Sequence, residues 1–187
     1  ALPRLLPHYA GLGLEIEIKN LDSAKQHYKK PLTIIIGGAK IADKLGILKY
    51  FWEKADKFLI AGGPGNTFLA AKDLPIGNSI YSKEMLPKIK KYLNSPTPTH
   101  FGRGSDRSVG KIVLPVDLKI KDKKILDIGE KTIKKYSEII RKSRTIIWNG
   151  PMGVFEKKEF AEGTKAIWKA IIARSQMSNV KCRIIVG

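Results

Sequence analysis

Apolar residues in this chain fall into two arrangements. Five short unbroken runs, TIIIGG (33–38), KFLIAGG (57–63), KIVLP (111–115), TIIWNG (145–150) and RIIVG (183–187), are rich in β-branched residues. Because they are continuous rather than alternating, they predict strands covered on both faces, as in a parallel sheet. Between them apolar positions recur at helical spacing: Ile41, Leu45, Leu48 and Trp52; Ile133, Tyr136 and Ile140; Phe160, Thr164, Ile167 and Ile171. Strands alternating with helices predict an α/β fold, a three-layer Rossmann-like domain with a mainly parallel sheet and right-handed crossovers. Residues 1–30 hold no strand run, and LEIEIKNLDSAKQHYKK (14–30) reads as a partly amphipathic helix.

One stretch breaks the alternation. SPTPTHFGRGSDRSVGK, 95–111, mixes proline, glycine and small polar residues and predicts a long exposed loop. It comes near a phosphate-binding P-loop and misses twice, with Ser105 where the first glycine belongs and Ile112 where Ser or Thr should follow Lys111.

Composition narrows the function classes. The 187 residues suit one domain with a full core, and 43% hydrophobic content argues against global disorder. No apolar run reaches the roughly 20 residues of a membrane span, so no membrane partner is expected. The opening stretch, with two early prolines and acidic residues by position 15, is unlike a secretory signal, and the expected compartment is the cytoplasm. One cysteine, Cys182, permits neither an internal disulfide nor a zinc cluster. The charge is unusual: 35 Lys and Arg against 17 Asp and Glu leave a net +18, which attracts anions such as nucleic acid or phosphorylated small molecules. The lysines are spread along the chain, and few aromatics alternate with them as base-stacking surfaces require. Nucleic-acid binding is therefore the weaker alternative, and it would show as affinity that collapses with salt.

Chemistry points to the strand ends. Four of the five strand runs close on glycine: IGGAK, AGGPG, WNGPMG and Gly187. In open α/β sheets ligands bind beyond the carboxyl ends of the strands, where glycine lets backbone approach closely. In GGAKIADK, a helix beginning near Ala39 would carry Lys40 and Lys44 on one face of its first turns, a pair suited to a polyphosphate.

The segments GGAKIADKL, LIAGGPGNTFL, LPVD, LDIGEKTIKKY, TIIWNGPMGVFE and FAEGTKAI, in that order, resemble the nucleotide-binding carboxyl-terminal domain of the phosphoglycerate kinase family. YAGLGLEIEIKNL resembles the start of the helix joining that family's two domains. The resemblance implies an interdomain-type helix and lead-in over 1–30 and a nucleotide-binding domain over 31–187 that is incomplete at its carboxyl end. It implies phosphoryl transfer between 1,3-bisphosphoglycerate with ADP and 3-phosphoglycerate with ATP. In that reading Lys40 is catalytic, compensating the charge of the transferring phosphoryl group, and Lys44 holds the nucleotide phosphates beside Gly38 of the same turn. Gly62, Gly63, Leu126, Pro151 and Val154 wall the adenine pocket, Asn149 lies near the phosphates, and Glu156 binds the ribose hydroxyls. Mg2+ is expected with ADP or ATP, with no metal ligand among these residues. The family's 3-phosphoglycerate site lies in an amino-terminal domain absent from this sequence, and its members suggest a monomer. A chain of this extent is expected to bind nucleotide and transfer nothing by itself, which leaves a non-catalytic nucleotide-binding fragment as the nearer alternative. Pro64 departs from the family pattern, because it removes an N–H where backbone is expected to lie against the base.

Overall fold

The structure is a computed structural model that describes residues 28–94, 110–177 and 182–187. The expected helix over 14–30 lies outside those residues except at 28–30, which are not helical, and nearly all of the 95–111 loop lies outside them. In chain order the elements are β1 (Leu32–Ile36), α1 (Leu45–Phe51), β2 (Lys57–Ile60), α2 (Gly62–Ala71), α3 (Leu86–Asn94), β3 (Ile112–Val113), β4 (Leu118–Lys121), β5 (Lys124–Ile128), α4 (Glu130–Lys142), β6 (Thr145–Asn149), α5 (Glu162–Gln176) and β7 (Arg183–Val186).

All five apolar runs form strands, and together they make one five-stranded sheet in the order β3-β2-β1-β6-β7. Every pairing in it is parallel. β1 lies at the centre, and its LTIII side chains are all buried because helices cover both faces. One face gathers Leu32, Ile34, Ile36, Phe58 and Ile60 with Leu48 and Phe51 of α1, Phe68 of α2 and Ile89 of α3. The other gathers Ile35, Leu59, Ile146 and Trp148 with Tyr136 and Ile140 of α4 and Ile167 and Ile171 of α5. Each fully buried Ile or Leu stabilises the fold by about 1.5–3 kcal/mol. These two clusters are the two sides of a three-layer sandwich.

KIVLP pairs only at Ile112 and Val113, since Pro115 has no N–H for a ladder. The short edge is reinforced by Tyr136, whose buried hydroxyl donates to Ile60 O at 2.8 Å and lies 3.0 Å from Val113 O. Burial pushes that phenol well above its ordinary range, which keeps it a donor.

Two elements depart from the sequence expectation. The run 57–63 stops being a strand at Ile60, and Gly62 opens a helix. Residues 118–128 form an antiparallel hairpin, β4–β5, separate from the main sheet and not foreseen from its pattern. Its register shifts between Lys119 and Ile120, and its tip turns at Asp122 and Lys123, both left-handed with φ of 52° and 59°.

Candidate functional site: a cavity at the sheet's switch point

Counted along the main sheet alone, the strand order is 3-2-1-4-5, with the crossover direction reversing between β1 and β6. A crevice forms outside the carboxyl ends of strands at such a reversal. Parallel pairing puts the glycine-bearing strand ends on one rim, and the register aligns them: Ile36 pairs with Ile60 and with Asn149.

Three loops then lie across one another at this rim. Gly37 N donates to Asn149 O at 2.9 Å, Gly38 N to Pro151 O at 2.7 Å, and Gly63 N to Gly38 O at 2.8 Å. The packing is too close for side chains. A Cβ on Gly63 would stand 2.0 Å from Ala39 O, with no room to relax. Most of the rim glycines are therefore required by neighbouring backbone rather than by a ligand. Gly38 is the contrast: its φ is +86°, but the space over it is open, with nothing nearer than 3.8 Å. It is the position where a ligand could approach main chain.

Below the rim lies a cavity of about 350 Å³, within the range of small-molecule sites. Gly38, Gly62, Gly63, Leu126, Pro151, Val154 and Glu156 all line it. The exposed carboxylate of Glu156 stands at its edge. Lys40, Lys44 and Asn149 do not line it. Lys40 is exposed and precedes the first helical turn, which starts only at Ala42 as a short 3-10 segment running into α1. The expected helix from Ala39 is thus displaced, and Lys40 and Lys44 do not share a helical face. Lys44 faces a separate cleft between α1 and α2, and its Nζ donates to Asn149 Oδ1, tying the β1 loop to the end of β6.

Pro64 is also placed differently from expectation. It is the third residue of α2, where an N–H has no intrahelical partner in any case. It lines the α1–α2 cleft with Ile36 and Phe68 and takes no part in the cavity wall. Its missing donor costs the site nothing.

Sequence reasoning missed several lining residues. Asn66, Asn78, Ser79 and Ile80 come from α2 and the segment after it, and Asp127 from β5. Asn66 Nδ2 donates to Ile80 O at 3.0 Å, and Ser79 Oγ accepts from Ile125 N at 2.8 Å. Asp127 is buried: it accepts from Gly163 N at 2.7 Å and from its neighbour Ile128 N at 2.9 Å. A Cβ on Gly163 would lie 2.3 Å from its Oδ1, and one on Gly153 2.5 Å away. The carboxylate thus fills the space two glycines leave, and joins the hairpin to the Pro151–Glu156 segment and the start of α5. Burial pushes its carboxyl above the ordinary value, while the Gly163 and Ile128 amides and the Lys119 ammonium pull it back. The signal was available in one respect: a charged residue between Leu126 and Ile128 in a strand needs a partner.

Among the described residues no group of three His, Cys, Asp or Glu is placed to hold a metal ion, and no helix is long and apolar enough to cross a membrane. Asp127 already accepts from two amides, so Glu156 is the carboxylate left to face a ligand.

Comparison with known proteins follows the same lines. The family model that matches is Phosphoglycerate kinase, over residues 1–187. A phosphoglycerate kinase of Bifidobacterium longum is 38% identical over 180 residues, covering 89% of this chain and 45% of that protein. That of a Roseiflexus species is 37% identical over 203 residues, covering 98% of this chain and 48% of that protein. Among solved structures, phosphoglycerate kinase from Coxiella burnetii superposes with a TM-score of 0.75 at 29% identity, covering 95% of this chain and 47% of that one. The chain spans about half the length of the curated relatives it matches.

Proposed function

The chain belongs to the phosphoglycerate kinase family, and from that premise we propose that its switch-point cavity is the nucleotide half of a kinase acting on a carboxylate acceptor. The observation that carries this reading is the convergence of Gly38, Gly62, Gly63, Leu126, Pro151, Val154 and Glu156, drawn from four separate segments, on one cavity. The base fits between the Gly62–Gly63 backbone and the Leu126 and Val154 side chains. Glu156 accepts from the ribose hydroxyls, and the phosphates run out past Gly38 toward Lys40.

In the proposed reaction the P–O bond of the acyl phosphate in 1,3-bisphosphoglycerate breaks as a terminal oxygen of ADP bonds to phosphorus. The products are ATP and the carboxylate of 3-phosphoglycerate. Such transfer depends on positioning and on charge compensation. Lys40, exposed at the rim with an extended side chain's reach, supplies the compensating charge, and Lys44, bonded to Asn149 outside the cavity, adds positive charge beyond the rim. Mg2+ arrives with the nucleotide, because an ion of this kind is commonly bound through substrate phosphates and only one or two carboxylates. The acceptor 3-phosphoglycerate is held by the remainder of a protein of the relatives' length. The chain alone binds nucleotide and does not turn over.

Calorimetric titration of the chain with Mg-ADP tests this reading. Binding is expected, weakened about 10-fold or more by Glu156→Ala through loss of the charge-assisted ribose hydrogen bonds. Lys40→Ala is expected to weaken it less, since that group acts mainly on the transferring phosphoryl. Absence of binding by the parent chain, or a Glu156→Ala affinity equal to the parent's, removes the assignment.

A further inference from the structure

Three polar side chains are buried in the lining of the cavity: Asn66, Ser79 and Asp127. Two of them are fully engaged. The Ser79 hydroxyl donates to Ile76 O and accepts from Ile125 N, and Asp127 accepts from the Gly163 and Ile128 amides. Asn66 is engaged at one end. Its Nδ2 donates to Ile80 O at 3.0 Å, and because a carbonyl can only accept, that bond fixes which way round the carboxamide sits. Oδ1 faces away from Ile80 O and has no hydrogen-bond partner among the described residues. No buried side-chain oxygen or nitrogen among those residues lacks a partner, so Oδ1 lies at an open surface. Asn66 is 5% exposed, and the open space it borders is the cavity.

Rigid structure sets the position of this acceptor. Asn66 follows Gly62 and Gly63 by four and three residues on α2, which puts all three on one helix face. Thr67 Oγ1, next to it, donates to Gly63 O and accepts from Ser82 N, so the segment carrying Ile80 is held to α2 at two points. Gly63 N donates to Gly38 O, which makes the start of α2 the phosphate end of the proposed nucleotide site. One turn further along, Asn66 stands toward the opposite end, where the edge of the base remote from the sugar lies in that reading.

We propose that Asn66 selects the base: its Oδ1 accepts from an exocyclic amino group, and the cavity favours 6-aminopurine over 6-oxopurine nucleoside diphosphates. This rests on the nucleotide reading of the same cavity. Adenine presents an amino donor at that position, whereas hypoxanthine and guanine present an oxygen. Oxygen against oxygen leaves two acceptors facing each other with no proton between them. Asn66 cannot relieve this by rotating, because turning the carboxamide over sets Oδ1 against Ile80 O and breaks the bond that holds it. An exposed carboxamide such as that of Asn78 can turn to suit either base. Burial and the Ile80 carbonyl therefore make a selective group of an indifferent one.

Titration of the chain with Mg-ADP, Mg-IDP and the magnesium complex of purine riboside diphosphate, which carries no group at C6, tests the proposal, with Asn66→Leu as the variant. In the parent chain ADP is expected to bind most tightly and IDP most weakly, about 5-fold apart, the scale of one neutral hydrogen bond. Asn66→Leu is expected to bring the three affinities together. Loss of the Ile80 contact by itself would weaken all three alike and keep their order, so the ratio separates base recognition from a structural role. IDP binding as tightly as ADP, or an ADP preference that survives Asn66→Leu, overturns the proposal while leaving the nucleotide site intact. Where urea denaturation shows Asn66→Leu unfolded, Asn66→Ala gives the same readout, and purine riboside diphosphate binding the parent as tightly as ADP overturns the proposal without any variant. Failure of all three diphosphates to bind overturns the nucleotide reading as well.

Discussion

α4 and α5 lie on the same face of the sheet and begin in the same way, yet the carboxylates that hold their first turns are in opposite electrostatic situations. Neither helix has a side-chain cap of its own: α4 starts after Gly129 and α5 after Ala161. Each borrows an aspartate from the hairpin region. Asp117 accepts from Lys131 N at 2.9 Å, Thr132 N at 2.7 Å and Thr132 Oγ1 at 2.6 Å, and does for α4 what an N-cap side chain does from the adjacent position. Asp127 does so for α5 through Gly163 N. Burial opposes the charge on both. At half-exposed Asp117 three hydrogen bonds outweigh it, and the carboxyl titrates below its ordinary value. At buried Asp127 desolvation wins, and the carboxyl titrates above it. One capping device thus gives a group that favours its charge and a group that resists it, and solvent access decides which. The reluctant one lines the cavity.

Asp127→Ala should have the larger effect. It leaves two amides unpaired in the interior and opens space beside Gly153 and Gly163, so urea denaturation should show a loss of about 2–4 kcal/mol. Nucleotide affinity should fall with it, because the space left beside Gly153 loosens the packing of the Pro151–Glu156 wall. Asp117→Ala should cost about 1–2 kcal/mol, the scale of an N-cap, with nucleotide affinity unchanged since its amides lie away from the cavity. Equal losses in the two variants would end the distinction drawn above.

The smallest effect is in pH dependence, and its sign differs at the two sites. Asp117 has its folded value lowered from 3.8, so its stabilisation is present above that value and is lost as pH falls below it. Asp127 has its folded value raised from 3.8, so between the two values the native state keeps a proton that the unfolded chain has released. That contribution is full below 3.8 and disappears as pH rises through the raised value. Urea midpoints measured across mildly acidic pH should therefore show a rising term on acidification that Asp127→Asn abolishes. Asp117→Asn should flatten the fall at lower pH instead. A parent profile unaltered by Asp127→Asn would contradict the buried assignment.

Legibility in the sequence followed the physics of each segment. Continuous β-branched runs favour burial, so all five strands of the main sheet could be read off, and the parallel arrangement with them, although the edge strand β7 is only half-buried. The hairpin could not: DLKIKDKKILDIG mixes lysines into both strands because one side faces solvent, and its alternation is too short to stand out. α2 was hidden by its own first turn, GGPGN, whose residues look like a loop and are helical because the β1 loop accepts from Gly63 N.

The sequence by itself determined that a parallel sheet carries its glycine-bearing strand ends on one rim, because buried apolar runs admit few other arrangements and parallel strands must all end on the same side. Only the tertiary structure decided which neighbour each glycine serves, where Pro64 faces, and that Lys44 meets Asn149 rather than the cavity. Those outcomes depend on contacts between residues separated by tens of positions, at distances where a single Cβ decides whether two loops can cross, and local pattern carries no record of them.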